Sequence, residues 1–162
     1  MFEYAKLDTV GPSAGWQPHK NEAETKHTIE WMIKSEEVWA IVLKENDKVI
    51  GSVGLHKREH KDHEKEIGYV LSPVYWHQGI MQEAVKAMII YSFDHLGLEK
   101  LHCAHFDGNY ASQKVIERTG FQKVGITTST INLYGFQIEK QSIQYEIPKD
   151  LYERKQLPWQ QH

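Results

Sequence analysis

Apolar residues recur along this chain with two periods, near 3.6 and near 2, and the switches between them divide it into elements. Residues 2–8 read as the end of a short helix, and 11–20, with two glycines and two prolines, as a loop. Ile29, Met32 and Ile33 fall at helical spacing, which predicts a helix over 21–36 capped by Asn21. Val38 to Leu43 and Lys48 to Leu55 carry strand patterns on either side of Glu45-Asn46-Asp47, so a hairpin is expected. His56 to Lys65 is too polar to be buried and reads as a connection. Ile67 to Leu71 forms a third strand, ended by Ser72-Pro73 because proline restricts its predecessor and cannot donate to a sheet.

The strongest helical period runs from Gly79 to Leu96 through Ile80, Ala84, Ala87, Met88 and Tyr91. Gly97 stops that helix, and Leu101 to Phe106 follows as a strand. A strand–helix–strand unit of this kind makes its two strands parallel. Asn109 opens a shorter helix that Gly120-Phe121 closes after Thr119. Val124 to Ile147 holds two strand-like stretches around Tyr134-Gly135, an expected antiparallel pair. The tail 148–162 contains Trp159 but little pattern. Without repeats, low-complexity tracts or linkers, 1–162 reads as one α/β domain with a mixed, mostly antiparallel sheet.

Composition narrows the class. With 162 residues, 40% hydrophobic and 25% charged, the chain has the profile of a globular domain able to bury one core. A formal net charge of −3 disfavours a basic nucleic-acid binder, although ten histidines offset it as pH falls. The lone Cys103, in apolar surroundings, reads as a buried thiol without a disulfide partner. No apolar run approaches the roughly 20 residues that span a bilayer, so no membrane partner and a cytoplasmic location are expected.

Candidate chemistry lies between the third strand and the long helix. A helix N-terminus presents unpaired N–H groups and a partial positive charge that stabilise an anion, and Gly79 allows close backbone approach. The run lacks the Lys-Ser/Thr pair of a triphosphatase loop and the G-x-G-x-x-G turn of dinucleotide sites. On spacing alone, a phosphate cradle and a plain strand-to-helix connection are equally good readings.

Five motifs occur in order: Glu66-Ile67-Gly68-Tyr69, Pro73-x-x-Trp76-x-x-Gly79, Glu83-Ala84, Asn109-x-x-Ser112 and Gly120-Phe121. Together they resemble the GCN5-related N-acetyltransferase (GNAT) superfamily, in particular its ribosomal-protein alanine and serine N-acetyltransferase branch, over about 38–147. The resemblance implies acetyl-CoA as cosubstrate and an amine acceptor, either a protein N-terminus or a small molecule. It implies that the backbone of His77, Gln78, Gly79, Ile80, Met81 and Gln82 receives the pyrophosphate, and that Val70 and Leu71 lie beside the pantetheine arm between parallel strands splayed apart. Two positions depart from the pattern: Met81 stands where Gly or Ala is general, and His77 where the branch has Gly. Family members also begin with a further strand. Its lack here, through loss or truncation, leaves an edge at 38–44 or 48–55 open to another copy of the chain.

Acyl transfer to an amine needs a proton acceptor, a site for the oxyanion and protonation of the thiolate. Glu66, where the strand enters the cofactor side, is the candidate base, against the reading of a solvated carboxylate. Many relatives protonate the thiolate with a tyrosine whose position here is Ile116. The branch uses the serine of N-x-x-S, which assigns Ser112, with Tyr110 a weaker alternative. Asn109 is both a pantetheine contact by resemblance and a natural helix cap. Trp16 and His19, in Gly15-Trp16-Gln17-Pro18-His19, either orient the acceptor or pin the loop.

His56, His60 and His63, flanked by Glu59, Asp62 and Glu64, offer metal-ligand types, but the spacing matches no structural zinc pattern, so no metal is expected. Direct attack by the amine, without an enzyme-bound acyl group, follows from Cys103 lying within a strand away from a base. Two rivals belong to other classes: a CoA-binding module without turnover, and a metal-binding protein.

Overall fold

The computed structural model describes residues 1–161. Its elements in order are α1 (Phe2–Ala5), α2 (Gly11–Ala14), α3 (Glu22–Ser35), β1 (Val38–Leu43), β2 (Lys48–Arg58), β3 (Lys61–Leu71), α4 (Ile80–Ile90), β4 (Lys100–Phe106), α5 (Tyr110–Thr119), β5 (Gln122–Leu133), β6 (Phe136–Pro148) and α6 (Lys149–Glu153). A single 3₁₀ turn, Pro73–Tyr75, follows β3, and α4 widens into a π turn over Tyr91–His95. The strands form one sheet in the order β1-β2-β3-β4-β6-β5. Every neighbouring pair is antiparallel except β3 and β4. The mixed, mostly antiparallel α/β architecture expected from the sequence is the one observed.

The parallel ladder is short. It pairs Glu64–Ile67 with Lys100–Cys103 and then stops, so 68–71 and 104–106 diverge. Alternation assigns the two faces of the sheet. Ile67, Leu71, Leu101, Cys103, Ile143, Tyr145 and Ile147 form one buried side, onto which α4 packs Met81, Val85, Met88 and Ile89. Full burial of such a side chain contributes roughly 1.5–3 kcal/mol, which fixes α4 against the strands. On the opposite face, Val70 packs with Tyr4, Ala5 and Val10, placing α1 and α2 over the divergent part of β3.

Four segments differ from expectation. Residues 56–65 are not a connection: β2 and β3 continue through them as a projecting hairpin, with His60 at the tip in a left-handed conformation, φ 59°. Backbone pairing needs no burial, and the ion pairs Arg58–Glu66, Lys61–Glu64 and Lys65–Glu37 suit polar strands in water. Within the expected loop, Gly11–Ala14 closes a helical turn, since Pro12 is tolerated in a first turn. The tail is built into the fold: Leu157 is fully buried, and the Trp159 indole donates to the Thr119 carbonyl at 3.0 Å. Gly120 provides the room, for a Cβ there would stand 2.8 Å from Leu157. In α3, the apolar spacing marks no buried face: only Thr25 is buried, and Ile33 is 71% exposed.

Candidate active site

Where β3 and β4 part, a cleft of about 710 Å³ opens between the divergent strands, the start of α4 and one face of α5. The N-terminus of α4 lines it. Gly79 is the N-cap, in a left-handed conformation with φ 79°, and no side chain caps the helix. Nothing lies within 4 Å of where a Gly79 Cβ would stand. The first N–H groups of α4 are therefore open to an anion. His77 also has positive φ, 62°, the geometry for which glycine is suited. The Trp76 indole donates to the Leu71 carbonyl at 2.8 Å, tying this turn to the end of β3.

His77, Gly79, Ile80, Met81 and Gln82 all line the cleft, as do Val70 and Leu71. Gln78 does not: its amide turns back to donate to the Val74 carbonyl at 3.1 Å. Met81 is 5% exposed and belongs to the core. Two cations unforeseen from the sequence, Lys114 and Arg118, lie on the cleft wall four residues apart on α5. An uncapped helix start, bare backbone at Gly79 and two cations are a donor set suited to phosphates.

Deeper in, Ser112 and Tyr69 meet with their hydroxyl oxygens 2.8 Å apart. The single Tyr69 phenol proton has two acceptors on Ser112, the hydroxyl oxygen and, at 3.3 Å, the main-chain carbonyl; directed to the hydroxyl it leaves the Ser112 proton free to donate. Burial, and secondarily Cys103, pushes the Tyr69 phenol well above its ordinary range, against the opposing effect of its bond to Ser112. The phenol therefore keeps its proton and fixes the Ser112 hydroxyl. Tyr69 was missed in the sequence, although it ends the motif beginning at Glu66. Asn109 caps α5 by accepting from the Ser112 N–H at 3.2 Å, and its amide donates to the Ser13 carbonyl at 3.4 Å, joining α5 to α2. Tyr110 is 71% exposed and does not line the cleft. Ile116 is fully buried in the core.

Glu66 lines the cleft beside Gly68, and its Oε2 accepts from Arg58 Nη1 at 2.7 Å. Directly across from it in the β2–β3 register stands His56. Cys103 is buried, and burial first, then Glu66, pushes its thiol far up, so it is no nucleophile. The histidine cluster is dispersed: His56 lines the cleft, His60 is at the hairpin tip, and His63 is exposed on β3. His102 and His105 diverge as alternation requires, His102 pairing with Glu64 at 2.6 Å and His105 bonding to the Tyr145 hydroxyl at 3.1 Å.

A second cavity, about 360 Å³, adjoins the first on the α1–α3 side of the sheet, and both are lined by His56, Gly68, Tyr69 and Val70. Trp16 and His19 line this second cavity. Both are also pinned: the Trp16 N–H donates to the Gly11 carbonyl, the His19 N–H to the Ala5 carbonyl, and His19 Nδ1 lies 2.7 Å from Thr25 Oγ1. Burial holds the His19 imidazole below its ordinary value, partly offset by Glu24.

Comparison with known proteins agrees with this geometry. The family model described as Acetyltransferase (GNAT) domain matches residues 2–122, which adds α1–α3 to the region the motifs had indicated. The chain is 33% identical over 88 residues to Uncharacterized N-acetyltransferase YoaA of Bacillus subtilis, covering 54% of this chain and 50% of that protein. The chain spans about half the length of the first curated relatives it matches. An acetyltransferase (GNAT family) from Bacillus anthracis superposes with a TM-score of 0.81 at 21% identity, over 93% of this chain and 87% of that one. The ribosomal-protein-S5-alanine acetyltransferase from Vibrio fischeri superposes with a TM-score of 0.66 at 25% identity, over 85% and 80%. A split parallel pair facing an uncapped helix, joined to a family match over most of the chain, places this protein in the GNAT acetyltransferase family.

Proposed function

We propose that this protein transfers an acetyl group from acetyl-CoA to an amine by direct attack of the amine on the thioester. The observation that carries the reading is the gap between β3 and β4, which faces the uncapped start of α4. In this reading, the N–H groups of His77 and of Gly79 to Gln82 hold the pyrophosphate, with Lys114 and Arg118 adding charge along its path. The pantetheine arm lies along Val70 and Leu71, whose stretch of β3 lacks a β4 partner, and Asn109 borders it. Backbone N–H groups there polarise the thioester carbonyl. Ser112, oriented by Tyr69 and the cap at Asn109, offers a hydrogen bond to the departing thiolate. Glu66 supplies negative charge on the acceptor side, with one oxygen held by Arg58. Trp16 and His19 form the acceptor wall.

Titration calorimetry with acetyl-CoA, paired with a thiol-release assay across a panel of amines, tests this. Saturable binding and amine-dependent thiol release are expected. Absence of binding overturns the reading, and binding without release for any amine reduces the protein to a CoA-binding module.

A further inference from the structure

We infer that His56 takes the proton from the acceptor and that the acceptor is a small primary amine with an uncharged, aromatic or apolar body. The inference rests on the acetyl-transfer reading above and names the acceptor class and the acceptor-side base of that same site.

Position is the first argument. His56 borders both cavities at the place where they join, beside Gly68, the first residue of β3 beyond the ladder to β4. Its ring lies across two glycines on adjacent strands: a Cβ on Gly54 would stand 2.8 Å from His56 Nε2, and one on Gly68 3.0 Å from it. Two bare backbone positions thus make room for one imidazole at the junction. His19 and His102 each have one ring nitrogen engaged and His105 both, whereas the His56 ring has no hydrogen-bond partner among the described residues. Glu66 stands opposite His56 and is itself tied to Arg58, so it is placed to balance an imidazolium while the imidazole meets the amine.

Charge is the second argument. Among the described residues, no Asp, Glu, Lys or Arg side chain lines the smaller cavity. A second ammonium on the acceptor would find no counter-charge among these walls, and Glu66, in the adjoining cleft, is already paired with Arg58, which disfavours polyamines. Trp16, Trp31, Met32 and Val38 instead offer aromatic and apolar surface. A volume of 360 Å³ lies near the lower end of ligand cavities, which run from about 300 to 1,000 Å³, and suits a compact body.

The reaction balances. The amine nitrogen forms a bond to the thioester carbonyl carbon and the carbon–sulfur bond breaks. The ammonium form first gives one proton to water, and the neutral amine attacks; a second nitrogen proton then passes to His56 and on to water, while the thiolate, hydrogen-bonded by Ser112, takes a proton from water.

The test uses the full chain with 2-phenylethylamine, spermidine and a short peptide with a free N-terminal alanine. Phenylethylamine is expected to have a kcat/KM about tenfold or more above the other two. His56→Gln is expected to lower kcat about hundredfold, with the acetyl-CoA Kd unchanged by calorimetry. His56→Ala, assayed with and without added imidazole, decides the same point independently, and partial rescue is expected. Trp31→Glu, on an exposed helix surface, lowers kcat/KM for phenylethylamine and leaves acetyl-CoA affinity intact. Preference for spermidine or the peptide overturns the acceptor class. Retained kcat in His56→Gln, or no rescue of His56→Ala, overturns the base; in all these cases acetyl transfer itself stands. Loss of acetyl-CoA binding by the unmodified protein removes both.

Discussion

The two cavities that meet at Gly68 are built by different means. The larger one is organised around a main-chain frame in a nearly continuous run: β3 past Ile67, the turn tied by Trp76, and the start of α4. Distant side chains complete it: Ser112, Lys114 and Arg118 of α5 on one wall, and His56, Ser129 and Gln144 from β2, β5 and β6. The smaller cavity is assembled from side chains far apart in sequence, among them Trp16, Trp31, Val38 and His56. Backbone geometry suits an invariant ligand, because N–H groups and strand edges are present whatever the side chains are. Side-chain walls suit a ligand that differs between relatives, since each wall residue can be exchanged without disturbing a ladder.

The sharpest way to break that comparison is Ser112→Ala. Ser112 is the side chain in the larger cleft assigned to the departing thiolate, and its removal is expected to lower kcat about hundredfold while acetyl-CoA affinity stays near that of the unmodified protein. A calorimetric titration alongside steady-state thiol release measures the two separately. A large rise in Kd with kcat preserved would make Ser112 a binding residue and the cleft less dependent on its main chain than argued.

Charge reversal on α5 comes next. Lys114 and Arg118 are exposed on the cleft wall, and each exposed pair with a phosphate contributes about 1 kcal/mol or less. Replacing both by Glu is expected to weaken acetyl-CoA binding roughly tenfold at low salt, with the difference shrinking as ionic strength rises through about 0.15 M. Equal loss at all salt concentrations would point to a disturbed α5 instead of lost charge.

What was legible in the sequence follows the same division. The turn from Ser72 to Gly79 and the helix after it stand in one contiguous run, so motif and period together mark this side of the cleft in the sequence itself. Glu66 and β3 lead into that run, β4 and Ser112 follow it, and Glu66 and Ser112 both line the cleft. Lys114 escaped notice because an exposed lysine on a helix has no signature without its neighbour in space. His56 was grouped with His60 and His63 by spacing, whereas strand pairing sets it across from Glu66 and sends the other two up the hairpin. Leu157 and Trp159 lacked a period because the tail packs through single anchors against α5 and not through a repeating face.

The smallest effect concerns the acceptor side and its response to pH. His19 sits half-buried, with Nδ1 at 2.7 Å from Thr25 Oγ1 and its ring 5.3 Å from Trp16. Burial holds its imidazole below 6.5, with Glu24 drawing it partly back. The unfolded chain therefore takes up this proton at a higher pH than the folded one. Stability from a neutral His19 is complete above 6.5 and is lost as pH falls from 6.5 through the lower folded value. Thermal unfolding in that window is expected to shift to lower temperature on acidification, and His19→Gln to shift less. Water reaches part of the ring and screens the effect, so it is smaller than either change at the larger cleft. Identical pH dependence in the two proteins would mean that this wall is held by the backbone bonds of Trp16 and His19 alone, which would make the two cavities more alike in construction than their linings indicate.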